Sequence, residues 1–190
     1  SSVVGELTLH FSDIKGKFMR LAKVTPEIVL YDPPGDPRNY DLLTGSMTKD
    51  TTSFLIQTNT KGDGVSGSEL TLFTVHASYD GKESESVTVK VKTSDKETDL
   101  SQADPDVFRS SQMLQVHLNG EQIKKSIDSG QRDKATRLIQ NTTKIASNLG
   151  ANNVTRALVR MEKDVKKGKS VSDDLATIQD ESKKTRLLGG

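Results

Sequence analysis

The chain has 190 residues, with 27 Lys+Arg, 26 Asp+Glu, 3 His and no cysteine. That composition excludes disulfide and thiolate chemistry, argues against a structural zinc site, and fits a reducing compartment. The net charge of +1 is split, with 11 Lys/Arg and 15 Asp/Glu in residues 1–100 against 16 and 11 in residues 101–190; this supports two modules but no concentrated basic face for nucleic acid.

Residues 1–98 read as β structure. Leu7, Leu9 and Phe11 alternate with Glu6, Thr8 and His10, the period of a half-buried strand. Lys17–Val24 is a second strand candidate, and Pro26 interrupts before the apolar run Ile28–Tyr31. The segment 32–39, DPPGDPRN, holds three prolines and a glycine and so fixes a loop. Tyr40–Thr44 and Ser53–Thr58 follow as short strands, and 61–68, KGDGVSGS, reads as a flexible loop. Phe73, Val75, Ala77 and Tyr79 share one strand face. Val87, Val89 and Val91 share a face of the next strand, and Asp80-Gly81 is a hairpin dipeptide between them. About six or seven short strands without an intervening helix indicate a β-sandwich or barrel-like domain.

The polar stretch 99–104 reads as a linker. Asp104-Pro105 then starts a helix, with Asp as N-cap and Pro in the first turn. Gly130, Gly150 and Gly168 each follow an apolar-periodic segment and mark helix ends, which predicts helices at about 105–129, 132–149, 152–167 and 172–186. Gly120 is expected to break the first. Ala135, Leu138, Ile139, Thr142, Ile145, Ala146 and Leu149 form the buried stripe of the second, and Val154, Ala157, Leu158, Met161 and Val165 that of the third. Short connections make these helices antiparallel neighbours in a bundle. No apolar run approaches the roughly 20 residues of a membrane span, and nothing at the start looks like a signal peptide, so a cytoplasmic protein without a membrane segment is the expectation.

No catalytic constellation is visible. His10, His76 and His117 fall on polar faces or edges, and no Ser/His/Asp order or nucleophile elbow is present. The glycines of residues 61–68 lack both the phosphate-loop pattern and a following helix. Asp32, Asp36 and Asp41, with Tyr31 and Tyr40 beside them, are the metal candidates, since oxygen-rich loops hold calcium. Their spacing matches no cation motif, and turn capping accounts for them. Lys163, Lys166, Lys167 and Lys169 cluster at a helix C-terminus, where positive charge favours the helix itself. No cofactor is implied. The sequons at Asn141 and Asn153 lie in predicted helix, and the Arg186–Gly190 end reads as a frayed terminus.

The segments LAKVTPEIVLYDPPG (21–35), DLLTGSMTKDTTSFLIQ (41–57) and TLFTVHASYDGKESESVTVKVK (71–92) resemble the β region that follows the A domain in bacterial von Willebrand factor type A proteins. Residues 105–188 resemble the helices that come next there, including the hairpin around Gly130 and the Lys184-Thr185-Arg186 end. The family's adhesion-site residues belong to the A domain, so none is carried over. Asp99–Ala103 resembles the Asp-x-Ser-x-Ser motif of that domain, but its last serine is missing and no apolar strand precedes it.

The expectation is thus an α+β chain. Residues 1–98 form an N-terminal antiparallel β-sandwich, 99–104 a linker and 105–190 a C-terminal antiparallel helical bundle. The resemblance implies a non-enzymatic interaction or scaffold module, with a protein partner and a neighbouring A domain in the full-length protein. The alternative is a calcium- or carbohydrate-binding adhesion-type β-domain, with Asp32, Asp36 and Asp41 at the ion.

Overall fold

The computed structural model describes residues 3–60, 65–96, 98–99 and 104–183. Part of the glycine-rich loop (61–64), most of the expected linker (100–103) and the chain end (184–190) lie outside the described residues, as do 1–2 and 97. The chain is α+β, with eight strands followed by four helices among the described residues.

The strands are β1 (Val3–Ser12), β2 (Lys17–Thr25), β3 (Val29–Tyr31), β4 (Tyr40–Thr48), β5 (Ser53–Asn59), β6 (Glu69–Tyr79), β7 (Lys82–Glu83) and β8 (Val87–Lys92). One sheet runs β4-β1-β6-β7, with β8 also paired to β6; a smaller sheet runs β3-β2-β5. β1 pairs antiparallel with both β4 and β6, and β6 pairs antiparallel with β7 and β8. The alternation in β1 buries Leu7 and Phe11, and that in β6 buries Phe73. From the smaller sheet, Phe18 and Leu21 join the same core. Its centre is three rings in edge-to-face contact: Phe11, Phe18 and Phe73, with centroids 5.2 to 5.7 Å apart. Each such pair adds about 0.5–1.5 kcal/mol beyond burial. The dipeptide Asp80-Gly81 makes the expected turn, and it closes on β7, a two-residue strand that the sequence does not announce.

The helices are α1 (Pro105–Asp128), α2 (Arg132–Asn148), α3 (Asn152–Lys166) and α4 (Ser172–Lys183). Asp104 caps α1, its Oδ1 accepting from the amides of Asp106 and Val107 at 2.9 and 3.2 Å. α1 packs on α2, α2 on α3 and α3 on α4, and α4 closes on α1. The shared core includes Ile123, Ile139, Ala146, Leu158, Met161 and Ile178, all fully buried. Residues Val24–Val29, which take in the end of β2 and the start of β3, group with this helical unit. There Val24 and Ile28 are buried, and the Ile28 amide donates to the Lys183 carbonyl at 2.9 Å.

Two expectations for α1 are corrected. The helix runs unbroken through Gly120, whose missing Cβ, which would lie 3.2 Å from Ile178 Cγ2, leaves room for α4. His117 is buried, not on a polar face, because α1 is covered by both α2 and α4.

Candidate functional site

The most chemically specific arrangement lies on the outward face of the larger sheet. In the β1 register His10 stands opposite Asp41 of β4 and opposite His76 of β6. Ser78 follows His76 by two residues, so strand alternation places it on the same face. His10 Nδ1 lies 2.7 Å from Asp41 Oδ1 and Nε2 lies 2.7 Å from the Ser78 hydroxyl; a proton on Nδ1 would be donated to the carboxylate and leave Nε2 to accept from Ser78. The His10 and His76 rings stack with centroids 4.7 Å apart and planes 22° apart, and His76 Nε2 lies 4.0 Å from Glu83 Oε1.

The order Asp41–His10–Ser78 has the hydrogen-bond connectivity of a nucleophile, a base and an orienter. Hydrolysis also requires preorganised donors aimed at a developing oxyanion. Ser78 sits inside β6, which pairs with β1 at Thr8 and with β7 at Glu83, so the backbone around it is engaged in the sheet. An open depression of about 650 Å³ adjoins it, lined by Glu6, Thr8, Ser78, Tyr79, Asp80, Gly81 and Glu83. The three carboxylates there oppose negative charge on a reacting oxygen. The geometry therefore supplies a cross-strand polar ladder beside three carboxylates.

Asp41 is committed to His10, while Asp32 and Asp36 are exposed in the loop between β3 and β4. Among the described residues no group of three or more His, Asp or Glu side chains is placed to hold a metal ion. The two tyrosines beside them turn toward the core. The Tyr31 hydroxyl donates to the Thr44 carbonyl at 2.9 Å, and burial pushes the phenol above its ordinary value.

In the helical unit a groove of about 300 Å³ lies between the end of α1 and the start of α4. Ile127, Val171, Leu175 and Ala176 line it, with Lys124 and Lys169 among its polar neighbours. The sequence's lysine cluster is split by role: Lys166 pairs with Glu162 at 2.7 Å, a bond that, with one from Gln140, holds that carboxyl below its ordinary range. Deeper in, the Gln115 side-chain amide donates to Asn119 Oδ1 at 2.7 Å. Asn119 Nδ2 donates to the buried Thr142 hydroxyl at 3.0 Å, and that hydroxyl donates to the Leu138 carbonyl at 2.6 Å. His117 Nδ1 and the buried Ser182 hydroxyl lie 3.1 Å apart. Desolvation holds this imidazole below its ordinary value, with Glu121 pulling it up and Lys183 pushing it down.

Sequence reasoning missed the link among Asp41, His10 and Ser78. The available signal was polar residues at alternate positions of three strands, but the pairing register that brings them together is not written locally.

No protein-family model matches the sequence, and a search of curated proteins finds no match. Among solved structures, a von Willebrand factor type A protein from Catenulispora acidiphila matches over 96% of this chain, with a TM-score of 0.68 and 18% sequence identity. The chain spans 46% of that protein's chain. At this identity the likeness establishes a related fold and leaves activity and partners to the residues themselves.

Proposed function

We propose that the chain is a non-catalytic protein-interaction or scaffold module. In this reading it combines a β-sandwich with a helical bundle and lies C-terminal to a von Willebrand factor A-type domain in a longer protein. The observation that carries the reading is the likeness just described, in which nearly all of this chain corresponds to less than half of a von Willebrand factor type A protein. The residue chemistry agrees with it: the Asp41–His10–Ser78 ladder faces carboxylates instead of oxyanion donors. The working surfaces are then a sheet edge and the grooves between helices, which accept strands and peptides respectively.

The experiment is affinity capture from an extract of the source cells with this chain as bait, read by mass spectrometry. A specific protein retained at about 0.3 M salt, where exposed charge pairs are largely screened, supports the module. Failure to retain any protein above a bait-free control counts against it.

A further inference from the structure

We infer that β8 is an open strand-acceptor edge, and that its occupant is an extended segment of a partner protein in which apolar residues alternate with Asp or Glu. This deepens the interaction-module reading and rests on it.

Among the described strands β8 pairs with β6 alone, so one side of its backbone lacks a strand. An unpaired row of backbone donors and acceptors is a template for a further strand. Other edges are less suited. β4 carries a register shift opposite Leu7/Thr8, where Gly45 sits at φ +85, and its Thr44 carbonyl already accepts from Tyr31. β3 has three residues, and β5 is largely half-buried. β8 has six residues, five of them exposed; its pairing with β6 shifts once, between Val89 and Lys90, but there the extra residue lies on β6 and β8 itself runs on without one, unlike β4.

Its two faces specify the partner. Val87, Val89 and Val91 share one face. Only Val89 packs on the core, while Val87 and Val91 are 58% and 40% exposed. A neighbouring strand with β-branched residues on that side would cover them. The other face holds Thr88, Lys90 and Lys92. Lys90 lies 3.1 Å from Glu69, and Lys92 has no ion-pair partner among the described residues. Opposite charges across strands are favourable and like charges are not. An antiparallel second copy that kept the faces aligned would bring the two sets of lysines together. A one-residue slip would instead set valine against lysine. The lysines thus disfavour self-pairing and select an acidic face.

The test is a titration of the isotope-labelled chain, followed by amide resonances, with an acetylated peptide of alternating Val and Glu. A matched peptide with Lys in place of Glu is the control. The expected result is perturbation centred on Val87–Lys92 by the Glu peptide. Affinity should fall at least about tenfold in the Lys90→Glu/Lys92→Glu double variant and recover when that variant meets the Lys peptide. Both substitutions lie on the exposed face, and an unchanged amide spectrum elsewhere shows that the fold is kept. The inference is overturned if neither peptide perturbs β8, if both bind alike, or if the chain self-associates through β8. If the peptides fail while affinity capture still returns a partner, the strand inference falls and the module reading stands.

Discussion

Replacing Gly16 and Gly45 separately by alanine tests whether the sheet unit is held as tightly as its contacts imply. Both glycines are in the left-handed region, Gly16 at φ +82 and Gly45 at φ +85. Alanine there costs about 1–2 kcal/mol, offset by about 0.4–1 kcal/mol from a less flexible unfolded chain. For Gly45 nothing lies within 4 Å of the added Cβ, so the net cost should be about 1 kcal/mol or less. At Gly16 the Cβ would run into the Asn59 carbonyl oxygen and stand 2.8 Å from Thr60 Cα, both backbone atoms. Moving that backbone adds about 1–3 kcal/mol, as overpacking does. Gly16→Ala should therefore cost about 2–4 kcal/mol. All three tyrosines, Tyr31, Tyr40 and Tyr79, lie in the strand half, so tyrosine fluorescence reports the sheets selectively. In urea, with a slope of about 1–3 kcal/mol/M, the Gly16→Ala midpoint should fall by about 1 M or more and that of Gly45→Ala by much less. Equal midpoints for the two variants would refute the close approach of β5 to Gly16.

Thr142→Val should destabilise the helical unit by about 1–3 kcal/mol in chemical denaturation, because it strands the Asn119 donor between α1 and α2. A variant as stable as the parent would contradict that role for the hydroxyl. His117 has a folded value held below the unfolded one of about 6.5, so the unfolded chain takes up the proton first. Its contribution is complete above that pH and is lost as pH falls toward the depressed folded value. His117→Gln should flatten the acid side of the stability profile, and an unchanged profile would show that the burial is not felt. Ser78→Ala should leave hydrolysis of an activated ester indistinguishable from the parent chain, and a selective loss of turnover would reopen catalysis at the ladder. Millimolar calcium should not raise the melting temperature. A rise abolished by Asp32→Ala with Asp36→Ala would restore the calcium-binding alternative.

The parts legible in the sequence are those with local causes. Alternation marks β1 and β6, the Asp-Gly dipeptide marks the turn that follows β6, and Asp104-Pro105 marks the start of α1. Gly130, Gly150 and Gly168 fall just past the ends of α1, α2 and α3 as the periodicity predicts. The failures have long-range causes. Gly120 reads as a break until Ile178 is seen against it, and His117 reads as polar-facing until α4 covers it. The valines of β8 share one face as their spacing predicts, yet the strand stands at the sheet edge and two of the three are exposed. The loop aspartates cluster in sequence without forming a metal-holding group, and Asp41 finds its partner in His10, 31 residues away.

The most direct test of the interaction-module account is hydrogen exchange on this chain, measured with and without the protein it captures. The account predicts slowed exchange confined to a sheet edge or to the grooves between helices, with no dependence on an added small molecule. No partner-dependent protection at any of these surfaces, or protection centred on Asp41, His10 and Ser78 that appears with a turned-over small molecule, would contradict it.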